Sequence, residues 1–260
     1  MPVQIAKADP TMSIVVENVS FISEGFRLLG RIHRPNTSGQ YPGAAICLGY
    51  PGDTKHTDMA EELAFNGMVA LVFYYRGAWG SEGAFSFRAL EPSARDAVEF
   101  LRSQPFVDRS RVGLIGHSMG ALPLSRRLSV DRRLKAGALI SPVADISSWA
   151  FDEVRDRIVP NWMRMGEGKL SGLNPDLIKS ELPWLVENMN PIETIKEVKA
   201  PILVIAGTND QITFPELCRA LYDESNEPKR WHLIEGADHT FSEHRILLIR
   251  EVLNWLKNNL

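Results

Sequence analysis

Cysteine is scarce in this sequence, and its scarcity excludes two kinds of architecture. Only Cys47 and Cys218 occur among the 260 residues. A disulfide framework needs several paired cysteines, and a zinc site needs several Cys or His ligands at characteristic spacings. Such spacings do not occur here. The sequence therefore predicts neither a disulfide scaffold nor a metal site.

The chain also lacks an excess of positive charge and a long apolar run. Its 29 lysines and arginines are outnumbered by 32 aspartates and glutamates, which gives a net charge of −3. This balance provides no positive field to attract nucleic acid or an anionic membrane surface. A membrane-crossing helix needs about 18 or more consecutive apolar residues, and no such run occurs. We expect neither nucleic acid nor a membrane as a partner.

Two further features are missing from the sequence. Residues 1–12 contain Pro2, Lys7, Asp9 and Pro10, and have no apolar core of a secretory signal. The expected location is therefore the cytoplasm. A glycine-rich phosphate-binding loop is absent too, so we expect no cofactor. The sequence leaves the formation of a homo-oligomer open.

Short apolar segments alternate with amphipathic ones along most of the chain. The apolar, β-branched runs are typical of buried parallel strands, and the spacing of apolar residues between them is typical of helices. An antiparallel hairpin at the sheet edge is expected over residues 14–22 and 26–33. The pattern predicts an α/β fold with a mostly parallel central sheet and helices on both faces. The predicted strands are 44–48, 69–74, 112–115, 136–140, 201–206 and 230–234, and the main predicted helices are 57–66, 92–103, 119–129 and 242–258.

Residues 143–190 interrupt this alternation, because they contain no strand pattern. Helices are expected there over 148–159 and 175–188. We interpret the segment as a short helical cap inserted into a core that comprises 1–142 and 191–260. Half of the six tryptophans are in it. Trp149, Trp162 and Trp184 either form a small core of the cap or line a substrate pocket.

A candidate nucleophile is Ser118, in the motif Gly-His-Ser-Met-Gly that spans residues 116–120. A predicted strand leads into this motif and a predicted helix follows it. Ser118 is therefore expected on the sharp strand-to-helix turn that exposes a nucleophilic serine. The alternative is that Ser118 only caps the helix, for which serine is well suited.

An activated serine requires a general base and a carboxylate that orients it. His239 lies in a glycine-containing loop after the last predicted strand, and Asp210 follows the most apolar predicted strand. The carboxyl ends of parallel strands meet at one edge of the sheet, where ligands bind. Ser118, Asp210 and His239 also follow the chain order expected for this type of turn. Asp145 and Asp238 are the rival acids.

A backbone turn after the first parallel strand is the candidate for the oxyanion hole. It comprises residues 48–53 and contains Pro51, which has no N–H group. The N–H of Tyr50 is then the natural donor, with that of Met119 as its partner. The alternative is a Pro-Gly turn without a catalytic task.

These segments together resemble the α/β-hydrolase family over nearly the whole chain. Residues 49–52 look like the family's His-Gly-x-x-Gly oxyanion segment, with Leu48 in place of the usual histidine. Residues 75–83 look like its Arg-Gly-x-Gly-x-Ser loop with one extra residue. The nearest branches are small microbial carboxylesterases and the catalytic domain of prolyl-oligopeptidase-like peptidases. The resemblance implies a catalytic triad of Ser118, Asp210 and His239.

The expected function is hydrolysis of carboxylic esters of small or medium acyl groups, with a small-molecule ester as the partner. Ser118 would form an acyl-enzyme, His239 would transfer the proton, and Asp210 would orient the imidazole. An aminopeptidase or an acylaminoacyl-peptidase-like amide hydrolase is the alternative reading. A non-catalytic ligand receptor on the same fold is the alternative of another class.

Overall fold

An eight-stranded sheet forms the centre of the computed structural model, which describes residues 13–52 and 56–260. The expectation about a secretory signal concerns residues 1–12, which lie outside the described residues. Asp53, the last residue of the predicted oxyanion turn, lies outside them too. The spatial order of the strands is β1-β2-β4-β3-β5-β6-β7-β8. The strands are β1 Ile14–Ser23, β2 Phe26–Pro35, β3 Tyr41–Cys47, β4 Val69–Phe73, β5 Val107–His117, β6 Gly137–Ile140, β7 Ile202–Gly207 and β8 Lys229–Ile234.

Six of these strands are parallel, and the two N-terminal strands form the expected antiparallel edge hairpin. All residues of β4 and β7 are buried, which explains their continuous apolar sequences. From β3 the chain crosses to β4 on one side, and then crosses back over β3 to β5 on the other side. Since crossovers between parallel strands are right-handed, the connecting helices cover both faces of the sheet. The predicted α/β-hydrolase fold is confirmed.

The helices confirm most of the predicted ones, with two corrections. The C-terminal helix begins at Arg245 rather than at 242, because the carboxylate of Asp238 accepts hydrogen bonds from the backbone N–H groups of Thr240 and Ser242 in a turn. The first helix of the insertion follows a separate 3-10 turn, Ser147–Ala150. The helices are α1 Thr57–Phe65, α2 Leu90–Ser103, α3 Ala121–Val130, α4 Asp152–Gly166, α5 Pro175–Met189, α6 Pro191–Thr194, α7 Pro215–Glu224 and α8 Arg245–Asn259.

Within the described ranges, none of these helices is both long enough and apolar enough to cross a membrane.

The insertion between β6 and β7 is joined to the core by backbone hydrogen bonds. The N–H of Trp79 donates to the carbonyl of Lys169 at 2.8 Å, and the N–H of Phe85 donates to that of Ser171 at 2.8 Å. On α5, the buried carboxylate of Glu181 accepts a hydrogen bond from the N–H of Phe87 at 2.8 Å. These bonds hold the insertion against the loop before α2. The division into a core of 1–142 and 191–260 and a cap of 143–190 stays a prediction.

A buried histidine in β2 should make the fold sensitive to acid. His33 is fully buried, and neither ring nitrogen has a hydrogen-bond partner among the described residues. Burial, with added repulsion from Arg31, lowers the pKa of His33 to about 4. The unfolded chain protonates near the ordinary pKa of about 6.5. It therefore binds more protons than the folded chain between these values, and stability decreases as the pH falls through this window.

His33→Leu should reduce this loss of stability, because the variant has no imidazole to protonate at that position. Between pH 6.5 and pH 4, the free energy of unfolding should fall by roughly 2–3 kcal/mol less in the variant than in the parent protein. Urea denaturation at several pH values in this range measures the difference. The same pH slope in both proteins would show that His33 does not cause the effect.

Candidate active site

The predicted nucleophile lies at a strained turn between β5 and α3. Ser118 follows directly after β5 and has a backbone φ of +54°, in the left-handed region that residues with a side chain rarely adopt. Strain of this kind is typical of a nucleophile elbow. The residue that caps α3 is Gly120, not Ser118. This arrangement argues against a purely capping role for the serine.

The flanking glycines of the motif are required by close backbone contacts. A Cβ atom at Gly116 would lie 2.7 Å from the carbonyl oxygen of Gly120. One at Gly120 would overlap the carbonyl oxygen of Cys47 at the end of β3. A larger residue at Gly116 would therefore push the two ends of the motif apart, and one at Gly120 would push the elbow away from β3. The Gly-x-Ser-x-Gly spacing follows from these contacts.

Asp210 and His239 form a hydrogen-bonded pair beside the elbow. The distance from His239 Nδ1 to Asp210 Oδ2 is 2.9 Å. Asp210 is only 2% exposed, and its other oxygen accepts hydrogen bonds from the backbone N–H groups of Ile212 and Thr213. The Thr213 hydroxyl donates to Asp210 Oδ2 at 2.7 Å. Each carboxylate oxygen thus has two partners, so the pair is held in one orientation.

The charge of Asp210 determines which nitrogen of His239 is free. Burial alone would raise the pKa of Asp210, but hydrogen bonds from His239 and Thr213 outweigh it and hold the pKa well below its ordinary value. The ionised carboxylate can only accept, so the proton of neutral His239 resides on Nδ1. The other nitrogen, Nε2, is then free to accept a proton, as a general base must.

The two rival acids have other partners. Asp145 accepts hydrogen bonds from Ser147 and Asn190. Asp238 accepts from Thr240 and Ser242 in its own loop. The geometry therefore favours Asp210 as the partner of the imidazole.

His117, within the motif, connects the elbow to the loop that contains His239. Its Nε2 lies 2.9 Å from the carbonyl oxygen of His239. Burial lowers the pKa of His117 to about 3, and the nearby His239 contributes to this shift. His117 is therefore neutral at pH 7, and its Nε2–H group donates to that carbonyl. Sequence reasoning did not select His117, whose only signal is its place before Ser118.

The predicted oxyanion turn lies against the elbow. A Cβ atom at Gly49 would be 3.1 Å from the Cβ of Ser118, so the turn and the nucleophile are in close contact. The turn is closed by a hydrogen bond from the N–H of Gly52 to the carbonyl of Gly49 at 2.6 Å. Tyr50 and Met119 line the same cavity as Ser118.

Two aromatic side chains that the sequence reasoning missed support this turn. The hydroxyl of Tyr75 donates to the carbonyl of Leu48 at 3.2 Å, and the indole N–H of Trp79 donates to that of Pro51 at 2.9 Å. Trp79 also has a positive φ of 52°, which is unusual for a large residue. Both belong to the 75–83 loop. This loop thus supplies hydrogen bonds to a turn that has Leu48 where the family usually has histidine.

The contacts of the Tyr50 side chain argue against its phenol as an oxyanion donor. Its hydroxyl donates to the carbonyl of Trp162 in α4 at 2.6 Å, and burial raises the pKa of Tyr50 well above its usual value. The phenol therefore joins the turn to the cap. Any hydrogen bond from Tyr50 to a substrate oxygen would come from its backbone N–H.

Tyr50→Phe should accordingly change kcat by less than about tenfold, because the variant keeps the backbone donor. Loss of a true oxyanion donor costs about 10²- to 10³-fold in kcat. Steady-state kinetics on a p-nitrophenyl ester distinguish these outcomes, with Tyr41→Phe on β3 as the matched control. A loss of about 100-fold or more would identify the phenol as the donor.

A cavity of about 570 Å³ opens above Ser118 and His239. Two of the three predicted cap tryptophans, Trp149 and Trp162, line it, and their ring centroids are 4.9 Å apart. Trp184 does not line it, because its ring packs under the guanidinium of Arg88, 4.9 Å from the ring centroid. This cavity gives no support to the substrate-binding role of Trp184, which stays a prediction. The other apolar side chains of the wall include Val143, Ile158, Met165, Ile212 and Leu217.

In the described part of the chain, no group of three or more His, Cys, Asp or Glu side chains is arranged to hold a metal ion.

Comparisons with known proteins show the family of the chain. The profile of the Prolyl oligopeptidase family matches residues 94–260. The protein Rv2307c of Mycobacterium tuberculosis is 31% identical over 231 residues, which cover 88% of this chain and 73% of that protein. YtmA of Bacillus subtilis, named as a peptidase, is 23% identical, and the match covers 96% of each chain.

Solved structures share the fold at low sequence identity. Est1E from Butyrivibrio proteoclasticus, in a structure with ferulic acid bound, has a TM-score of 0.76 and 18% identity over 93% of this chain and 98% of that one. An acetyl xylan esterase from Paenibacillus has a TM-score of 0.73 and 19% identity over 98% and 87% of the two chains. From the elbow, the extent of the profile match and this shared fold, we conclude that the chain belongs to the prolyl oligopeptidase family of α/β-hydrolases.

Proposed function

We propose that this protein is a serine esterase that cleaves carboxylic esters of small or medium acyl groups. The observation that carries the proposal is the cavity above the elbow, into which the strained Ser118 and the Asp210-bound His239 both open. A pair of this kind serves to activate a nucleophile. A receptor for a ligand would need the cavity but not the activated pair.

The reaction would proceed in two stages. His239 Nε2 takes the proton of the Ser118 hydroxyl as its oxygen attacks the acyl carbonyl, and the N–H groups of Tyr50 and Met119 stabilise the resulting oxyanion. The intermediate collapses, the ester C–O bond breaks, and the imidazolium gives its proton to the departing alcohol. Water then attacks the acyl-enzyme, assisted by the same base and the same oxyanion donors. This second stage releases the acid and restores Ser118.

Asp210 contributes through the imidazole. Its ionised carboxylate holds the Nδ1–H tautomer and stabilises the imidazolium that forms when Ser118 is deprotonated. The hydrogen bonds from Ile212 and Thr213 keep the carboxylate ionised and in place. His117 holds the loop of His239 from the other side.

Two arguments favour esters over amides. The walls of the cavity are mainly apolar, and burial of acyl surface contributes about 25 cal/mol per Å². Amides also require more complete protonation of the leaving group than esters do, so an unspecialised triad hydrolyses esters first. Among the structural neighbours, two are named as acetyl xylan esterases and one holds ferulic acid. The match to a peptidase-containing family makes amide hydrolysis the competing activity.

A substrate panel tests this proposal. We expect p-nitrophenyl esters from acetate to laurate to be hydrolysed, with the highest kcat/KM at short or medium chain length. Aminoacyl and dipeptidyl p-nitroanilides should give lower kcat/KM than the best ester. A higher value for any amide would favour a peptidase, and turnover of neither class would favour a ligand receptor.

A further inference from the structure

One charged side chain stands out in the wall of the catalytic cavity. Asp145 is the single carboxylate among the described residues that line this cavity. The remaining wall is formed mainly by apolar and aromatic side chains, such as Trp149, Trp162 and Val143. Few, well-placed polar groups in an apolar pocket usually orient the ligand. The position of Asp145 therefore calls for a chemical explanation.

The carboxylate of Asp145 is held firmly through one of its two oxygens. Oδ1 accepts hydrogen bonds from the N–H and the hydroxyl of Ser147, at 2.8 and 2.6 Å, and from the side-chain amide of Asn190 at 2.9 Å. Asn190 is itself buried, and its amide oxygen accepts from the N–H of Ile146 at 3.1 Å. Burial alone would raise the pKa of Asp145, but the bonds from Ser147 and Asn190 lower it. The group is thus a rigid, ionised acceptor.

The second oxygen, Oδ2, has no hydrogen-bond partner among residues 13–52 and 56–260. The contacts of Oδ1 are those of a turn-capping residue, and a neutral asparagine or serine would make them equally well. Asp145 is a solvent-exposed residue. Capping accounts for Oδ1 and leaves Oδ2 accessible to a donor in the cavity. An ionised carboxylate has capacity for further donors at each oxygen.

The chain near Asp145 runs alongside the nucleophile. The N–H of Val143 donates to the carbonyl oxygen of Ser118 at 3.0 Å. Two residues of chain span at most about 7 Å, so the backbone of Asp145 lies within that distance of Val143. Ser118 and Asp145 also line the same cavity, so a substrate with its carbonyl at Ser118 can extend its acyl chain along the wall that contains this carboxylate.

We propose that Asp145 is a substrate-binding residue whose Oδ2 accepts a hydrogen bond from a hydroxyl or ammonium group on the acyl chain of the substrate. This inference rests on the proposed esterase function and narrows its substrate class to acyl groups that carry such a donor. A hydrogen bond to a charged group is stronger than one between neutral groups. A donor-bearing ester should therefore be hydrolysed with roughly tenfold or greater advantage in kcat/KM.

Three p-nitrophenyl esters of equal chain length test the proposal: hexanoate, 6-hydroxyhexanoate and 6-aminohexanoate. In the wild-type protein, kcat/KM for at least one donor-bearing ester should exceed that for hexanoate by roughly tenfold. The better of the two donors identifies the natural group as a hydroxyl or an ammonium. In Asp145→Asn the advantage of 6-aminohexanoate should be lost, because the amide keeps an acceptor for Ser147 but places an NH₂ group, which cannot accept from an ammonium, at the position of Oδ2. A hydroxyl can also accept, so for 6-hydroxyhexanoate the variant that should bring the ratio to about one is Asp145→Ala. Asp152→Asn, at an exposed carboxylate on α4, should keep the wild-type ratio.

The outcomes separate this inference from the function on which it rests. Hydrolysis of all three esters at equal kcat/KM by the wild-type protein would overturn the role of Asp145 and leave the esterase proposal standing. A preference for 6-aminohexanoate that persists in Asp145→Asn, or one for 6-hydroxyhexanoate that persists in Asp145→Ala, would also overturn it. Failure of the wild-type protein to hydrolyse any of the esters would contradict the esterase proposal, and with it the role of Asp145. The wild-type comparison decides the question even if the variant does not fold.

Discussion

Ser118→Ala should abolish ester hydrolysis while the protein remains folded. Loss of the nucleophile leaves only the catalysis that oxyanion binding and substrate positioning provide, so kcat should fall by about 10³-fold or more. The fold should survive, because α3 is capped by Gly120 and the substitution removes one hydroxyl group. Steady-state kinetics on p-nitrophenyl butyrate and a thermal melt measure both effects.

Ser103→Ala provides the matched control for this variant. Ser103 is an exposed residue at the end of α2, where its hydroxyl donates to the carbonyl of Phe100. Its replacement removes the same group far from the elbow, so kcat should stay at the parent value. If Ser118→Ala retained a kcat within tenfold of the parent, another residue would have to be the nucleophile.

Asp210→Asn should also reduce kcat severely, by about 10⁴-fold. The amide of asparagine can donate to His239 Nδ1 and so favours the tautomer that has its proton on Nε2, where it cannot serve as a base. Asparagine has nearly the same shape as aspartate, and its amide oxygen can keep the hydrogen bonds from the N–H groups of Ile212 and Thr213. A pH–rate profile of the folded variant, compared with that of the parent protein, measures the loss of kcat.

Asp145→Asn and Asp238→Asn are the informative comparisons for Asp210. Neither carboxylate bonds to the imidazole in the described structure, so the loss of kcat on a simple ester should be far smaller for both. A larger loss in Asp145→Asn than in Asp210→Asn would move the orienting acid from the end of β7 to the segment after β6.

The sequence was most informative where backbone geometry restricts residue type. The parallel strands could be predicted because strands buried on both faces must be apolar throughout, as β4 and β7 are. The elbow could be predicted because Gly116 and Gly120 have no room for a side chain. Asp210 and His239 followed from the rule that the carboxyl ends of parallel strands meet at one edge.

Side-chain direction within the insertion could not be predicted in the same way. Three tryptophans at helical positions are equally compatible with a cavity wall and with packing elsewhere. Trp184 packs on Arg88, a residue of another segment, and no local pattern reports such a contact. The same limit applies to Tyr75, Trp79 and His117. Their contacts join parts of the chain that are distant in sequence, so only the folded structure reveals them.

Covalent labelling tests the central claim most directly. The oxygen of an activated serine attacks the phosphorus of a fluorophosphonate and displaces fluoride, which gives a stable phosphonyl adduct, whereas an ordinary serine is not labelled. Intact-mass and peptide mass spectrometry should find one adduct in the wild-type protein and in Ser103→Ala, located on Ser118, and none in Ser118→Ala. An unlabelled wild-type protein, or an adduct on a different residue, would contradict the assignment of Ser118 as the activated nucleophile.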